Sequence, residues 1–207
     1  EDPLPTTDAE DADMKADGFR RSVMKMKKEL TKREDPALAA PLRAATQLLE
    51  ELDSFIDENI PLMLLVCTKG LKERHWGDME KITGVDINWS PDANMDQMME
   101  CGLQHHADAI EETCVAATKE FSLEIAMDKM EKEWEGMVFE TKAYKESGTS
   151  ILGSVDDIQT VLDDQIVKAQ AMAGSRYIKP YLKRIQHWEK ILTNMQDIVD
   201  ECLKVQS

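Results

Sequence analysis

Glycine and proline are scarce, nine and seven in 207 residues. Together with abundant helix formers, that scarcity leaves little room for turn-rich β architecture. Long apolar runs are missing too. The longest, "IPLMLLVC" (Ile60–Cys67), falls far short of the roughly 20 residues that cross a bilayer. Cysteine is sparse and scattered. Cys67, Cys101, Cys114 and Cys202 form no C-x-x-C pair, which argues against a disulfide framework or a zinc site and for free buried thiols in a reducing compartment. Positive charge is in deficit, 25 basic against 41 acidic residues for a net −16 and a pI near 4.7. Such a field repels phosphate backbones and anionic headgroups, so neither nucleic acid nor bare membrane is expected as a partner. No secretory signal is legible in "EDPLPTTDAEDAD", which is acidic and lacks an apolar core. The opening Glu1 and the unterminated helical pattern "ECLKVQS" suggest a piece of something longer.

What is present is helical periodicity. Ile178, Tyr181, Ile185, Trp188, Leu192, Met195, Val199 and Cys202 recur at steps of three and four and form one apolar seam. A helix beginning near His105 carries Ile110, Cys114, Ala117, Phe121 and Ile125 on one stripe and Leu123, Met127, Met130 and Trp134 on another; two stripes imply neighbours on two sides. Leu38, Leu42, Ala45, Leu49, Leu52 and Ile56 mark a further helix, with Pro41 in its first turn or at a kink. A short basic-faced helix is expected in "DADMKADGFRRSVMKMKKELTKRE" after the acidic start, and a loop in "GVDINWSPDANMD" (Gly84–Asp96). Between the long helices, Val138, Phe139 and Tyr144, then Thr149 and Ile151, flank "KESG" and predict a small β-hairpin. Ser154 then reads as an N-cap with Asp157 three residues on, and Gly174 as the residue just past that helix's end.

Chemistry is hard to assemble. Gly148 and Gly153 have the spacing of a phosphate-binding loop, but Ser154 stands where its lysine belongs. Gly18 as the sixth position of a calcium loop places Asp13 and Asp17 correctly, yet puts Lys15 and Met24 on ligand positions. "NWS" at Asn88 reads as an ordinary loop tripeptide in the absence of a leader. His105 and His106 are adjacent on a helix, about 100° apart, and cannot face one metal. His75 and His187 each precede a tryptophan close to an apolar stripe, which predicts half-buried rings with satisfied polar tips at the rim of a core. The pairs Asp156–Asp157 and Asp163–Asp164 read as solvated helix faces, and the 13 methionines as adaptable core filling. No catalytic, cofactor-binding or metal-ligating residue is nominated.

The phrases "LKERHWGDMEKITGVDIN", "SLEIAMDKMEKEWEGMVFETKAYKESGTSILGSVDDIQTVLDDQIVKAQAMAGSRYIKP" and "WEKILTNMQDIVDECLKVQ" resemble, in that order, the N-terminal part of the linker of dynein heavy chains. "KMEKEW", "YKESGTSIL", "LDDQIVKAQAM", "YIKP" and "LKVQ" resemble axonemal, inner-arm chains more than cytoplasmic dynein. The resemblance runs from about Leu71 to Gln206 and is weaker before that. Two departures stand out: Cys202 where the family usually has Trp, and "AGSRY" (Ala173–Tyr177) in place of "RGSPY". The resemblance implies a mechanical arm that bends and straightens over a ring of ATPase modules, with no hydrolysis in this stretch itself.

The expectation is therefore an all-α fold, an elongated bundle of long antiparallel helices with one small hairpin near 137–152. Residues 1–70 are expected as a helical lead-in with a frayed acidic start, and 71–207 as an N-terminal linker subdomain cut short at its C-terminus. The implied partner is the AAA+ ring of the same heavy chain, with other dynein subunits allowed and no direct microtubule contact. No cofactor is expected, and the implied location is the cytoplasmic cytoskeleton, in the axoneme of a cilium or flagellum. The alternative is a free-standing helical adaptor or coiled-coil scaffold that binds partner helices through the Ile178–Cys202 seam.

Overall fold

The computed structural model describes residue 4, residues 7–33 and residues 35–206; residues 1–3, 5 and 6 of the acidic start lie outside them. Helix α1 (Ala9–Lys32) is longer than the short helix expected, because the acidic residues Glu10 and Asp11 occupy its first turn. Negative charge is favoured there by the exposed amides and the helix dipole. Asp8 opens the helix by accepting the Asp11 N–H at 3.0 Å. Ala9, Ala16 and Val23, seven residues apart, form its buried edge.

Asp35 caps a short 3₁₀ turn, Pro36–Leu38, and α2 (Ala39–Ser54) follows with Pro41 inside its first turn. A proline is harmless there, since the amide it lacks has no intrahelical acceptor. The expected stripe from Leu38 to Ile56 is the buried or half-buried edge of this helix. A second proline has more effect. Pro61 cannot donate to the carbonyl four residues back, and its ring crowds that turn. The chain widens to a π turn over Phe55–Asn59, with the Ile60 N–H reaching Phe55 O, before α3 (Ile60–Val66) resumes.

Helices α4 (Glu73–Thr83) and α5 (Met95–Glu100) are joined by the expected loop, entered through Gly84 at φ 72°. That left-handed position ends α4 without a Cβ clash. A 3₁₀ turn, Leu103–His106, leads into α6 (Ala107–Glu133). The chain forms two compact units, Glu1–Thr118 and Lys119–Ser207. In the first, Leu62, Val66, Trp76, Met79, Met98, Leu103 and Ile110 form the main core. The two stripes expected on α6 divide along its length: Ile110 and Cys114 belong to this core, whereas Met127 and Met130 belong to the second unit. Ile125, assigned to the first stripe, is 51% exposed, because a stripe at steps of three and four drifts around a 3.6-residue helix and has left the first core by then.

After the end of α6, the second unit continues with the expected hairpin in shortened form, β1 (Thr141–Ala143) and β2 (Ser150–Leu152), antiparallel with Lys142 opposite Ile151. Val138 and Phe139 precede the strand. Phe139 packs on the core with Trp134 and Met137 instead. Lys145 and Gly148 take positive φ, 51° and 72°, to close the turn. Helix α7 (Asp156–Ala173) starts one residue later than Ser154 suggested. Its N-cap is Val155, whose carbonyl takes the Gln159 N–H at 2.8 Å, while the Ser154 hydroxyl donates to the Asp156 carboxylate at 3.2 Å. Gly174 is right-handed, φ −78°. The chain continues into a further turn through Ser175 N–H to Met172 O, so no left-handed reversal is needed.

Helix α8 (Leu182–Gln206) carries the expected seam from Ile185 on, whereas Ile178 and Tyr181 lie ahead of it, at the cap and end of a 3₁₀ turn, Lys179–Tyr181, that holds Pro180. Ile178, Ile185, Leu192 and Val199 are buried, and Tyr181, Trp188, Met195 and Cys202 between them are half-buried. Ala169, late in α7, clusters with Ile178 and Ile185, whereas Ile158 and Leu162, early in α7, cluster with Leu192. The two helices are therefore antiparallel, and the second unit is the helical bundle with a small hairpin that the patterning indicated.

Two substitutions test this packing. Leu192→Ala should cost about 2–5 kcal/mol in chemical denaturation, whereas Val205→Ala, at an 86% exposed position, should stay within about 0.5 kcal/mol. Trp188 has a buried indole N–H without a hydrogen-bond partner. Trp188→Ala should therefore cost about 3 kcal/mol, but Trp188→Phe under about 1.5 kcal/mol, because no hydrogen bond is lost.

Candidate functional site

The sequence nominated no reactive residue, and the residues it weighed do not converge. His75 is 4% exposed, and its Nδ1 accepts the Lys72 N–H at 3.0 Å, where α4 begins. That bond satisfies an amide with no intrahelical acceptor, so the ring serves as a helix cap. Beside it Trp76 stacks on Trp89, centroids 5.9 Å apart and planes 15° apart, a geometry that adds to burial. His187 departs from expectation. It is exposed, because Ile185 and Trp188 take the seam and position 187 turns away from it. His105 is exposed and His106 half-buried in the 3₁₀ turn before α6. Among the described residues no group of three or more His, Cys, Asp or Glu could hold a metal ion.

The glycine pair also fails as a phosphate cradle. Gly148 closes the hairpin turn, and the Gly153 amide donates to Glu140 O at 2.7 Å. A Cβ at Gly153 would sit 3.3 Å from that carbonyl, a tight contact that a side chain there would relieve only by shifting the strand by a few tenths of an ångström. Gly18 lies within α1, where no calcium loop can form. Asp156 and Asp157 occupy the exposed first turn of α7, Asp163 accepts from Gln196 at 2.7 Å, and Asp164 pairs with Lys168 at 2.5 Å. All four cysteines are free. Burial pushes the Cys67 thiol up to about 11 and Cys114 to about 12, the latter helped by Glu111. Both remain protonated at neutral pH and are poor nucleophiles. Among the described residues no helix is long and apolar enough to cross a membrane.

The distinctive polar chemistry lies in braces between elements of the second unit. Gln165, on the buried edge of α7, is 0% exposed. Its Nε2 donates to Met130 O at 3.1 Å and to Glu133 Oε2 at 2.8 Å, and its Oε1 accepts the Trp134 indole N–H at 2.8 Å. One amide thus ties α7 to the end of α6 with its partners satisfied. Arg184 on α8 grips Glu131 through two nitrogens, at 3.0 and 2.7 Å, and reaches Asp128 at 2.7 Å. Those two carboxylates hold its guanidinium above its usual range, the hydrogen bonds to Glu131 and then Asp128 dominating. With 35% of the side chain exposed, screening limits this clamp to about 1 kcal/mol. Gln196 ties α8 to α7 through Asp163. At the end of α8 the Gln206 amide accepts the Leu152 N–H at 2.6 Å and faces Leu152 O at 3.4 Å, pairing with β2 as a neighbouring strand would.

Composition did not reveal these braces. Gln165 carried one readable sign, a polar residue on the stripe Ile158, Leu162, Gln165, Ala169. Arg184 and Gln206 carried none, since their partners lie more than fifty residues away.

The whole chain, residues 1–207, matches the family described as "Dynein heavy chain, N-terminal region 2". It is 37% identical over 167 residues to dynein axonemal heavy chain 3 of Mus musculus, covering 81% of this chain and 4% of that protein. Against dynein axonemal heavy chain 12 of Rattus norvegicus the figures are 35% over 193 residues, 92% and 6%. Against dynein axonemal heavy chain 1 of Mus musculus they are 34% over 207 residues, 99% and 5%. The chain thus spans 4% to 6% of the length of these relatives. A family match over residues 1–207, with relatives at 34% to 37% identity, places the chain in the dynein heavy chain family, within N-terminal region 2.

Proposed function

We propose that this chain is a non-catalytic mechanical element of a ciliary dynein motor, a stretch of the linker that passes conformational change from the ATP-driven AAA+ ring to microtubule-based movement. Residues 71–207 are the linker subdomain, with the resemblance running from about Leu71 to Gln206, and residues 1–70 are the helical lead-in. The location is the axoneme, in keeping with the relatives' names. The intramolecular partner is the rest of the heavy chain, first of all the ring.

The observation that supports the reading is continuous bracing along α8. Its seam is buried at Ile185, Leu192 and Val199 and half-buried between them, and polar ties leave it at Arg184, Gln196 and Gln206. A lever must resist bending between its points of attachment. Packed side chains provide that resistance, because interiors deform little and shift between discrete arrangements. The same observation weighs against a free-standing adaptor, since the seam that would recruit a partner helix is occupied from Ile178 to Met195 by α7 and the end of α6.

Three outcomes are expected. The purified 207-residue chain turns over no ATP; measurable hydrolysis, lost with a variant of a chain residue, would contradict the proposal. By light scattering the chain is monomeric; a concentration-dependent dimer would favour the adaptor. In the intact heavy chain, Arg184→Glu together with Gln165→Leu slows microtubule gliding while basal ATP hydrolysis persists. Unchanged gliding speed with a verified loss of stability would sink the lever reading.

A further inference from the structure

Most of the chain is acidic, but one stretch reverses the sign. Seven of the 25 basic residues and one of the 41 acidic residues fall within Arg20–Arg33, the second half of α1 and its C-cap. Arg20, Arg21 and Lys32 are paired with Asp53, Asp17 and Glu29. Lys25, Lys27, Lys28 and Arg33 form no ion pair among the described residues. These cations gather toward the turn between α1 and α2, roughly 25–35 Å along α1 from Ala9.

An apolar face lies beside them. The Arg20–Asp53 ion pair, at 2.5 Å, sets α1 antiparallel to α2. At about 100° per residue, Phe19 and Met26 of α1 and Leu48 and Phe55 of α2 then fall on the side of the helix pair away from that ion pair. Phe19 is level with Phe55 and Met26 with Leu48, the two levels seven residues apart on each helix. Their exposures are 63% for Phe19, 56% for Met26, 46% for Leu48 and 38% for Phe55. Apolar surface grouped in this way marks a docking site.

We propose that this face docks an acidic amphipathic helix of a separate protein, its apolar stripe seated across the four side chains and its carboxylates against Lys25 and Arg33. Anchors seven residues apart match the two-turn repeat of a helix laid along the groove between α1 and α2. Charge selects the sign of the partner, since Lys25 and Arg33 are exposed and stand on the side of α1 next to the face. Unpaired cations at a rim steer an acidic partner in from solution, a help that a segment tethered to the same chain does not need. A second copy fits poorly: each copy carries a net −16, and four side chains fall short of the roughly 800 Å² per partner that a stable dimer buries.

The test is fluorescence anisotropy of the 207-residue chain with a labelled synthetic peptide of about 18 residues, five helical turns, with leucines at helical spacing and glutamates elsewhere. It should bind at least about tenfold more tightly than a scrambled isomer, which keeps the charge and loses the stripe. Met26→Asp with Leu48→Asp should abolish binding while circular dichroism stays unchanged, both positions being exposed. Lys25→Glu with Arg33→Glu should weaken binding about tenfold, mainly through slower association, and flatten its salt dependence. Equal binding of the scrambled isomer, or of a peptide with lysines in place of the glutamates, overturns the proposal. So do variants without effect. Phosphatidylserine vesicles taken up through the same residues in place of the peptide, a dimer lost with Met26→Asp, or an intact heavy chain that cannot take up the peptide also overturn it. Those results assign the face to lipid, to a second copy or to the heavy chain itself. The proposal is independent of the lever reading, which gliding speed judges.

Discussion

The structure of the second unit depends on one constraint: the apolar seam of α8 must be kept from water along its whole length. A helix of this length has too little intrinsic stability to persist alone as a straight element; packing of its apolar face supplies most of it. Because the seam alternates fully buried with half-buried residues over Ile178–Cys202, the cover has to be a helix of comparable length lying alongside. α7 and the end of α6 provide it from Ile178 to Met195. The antiparallel arrangement follows from this need for cover.

Polar side chains then decide how those helices register. An apolar seam tolerates sliding, since many apolar contacts have similar energies. A buried amide does not, because every displaced donor or acceptor is left unpaired at about 1–3 kcal/mol. Gln165 holds three partners in one place and so sets the axial position of α7 against α6. Arg184 and Gln196 repeat this along α8 in more exposed settings. Apolar burial therefore supplies most of the stability and the polar braces supply the registration. A mechanical element needs both, the first to hold together and the second to return to the same shape.

The first unit shows the same economy in its local chemistry. His75 and Trp76 look on paper like a reactive pair, yet the histidine caps a helix and the tryptophan stacks on Trp89. Pro61 shapes its region through what it cannot do, widening the preceding turn. The thiols that burial keeps protonated, Cys67 and Cys114, are core filling.

Much was decided by sequence alone. Periodicity placed the seam of α8, the stripe of α2 and the loop after Gly84, because helical spacing and turn residues act over a few positions and need no distant partner. The resemblance in residues 71–206 pointed to the dynein heavy chains by the same local means. Tertiary structure decided what depends on residues far apart in the chain. Ile125 left its stripe because the core it would join ends earlier. His187 turned outward because its neighbours took the seam. Ser154 lost the cap and Gly174 its left-handed turn, because the flanking backbone found other partners. Gln165, Arg184 and Gln206 became braces only once folding set them beside carbonyls, carboxylates and a strand edge thirty to more than fifty residues distant. A sequence records which side chains can donate or accept; only the packed helices bring their partners within reach.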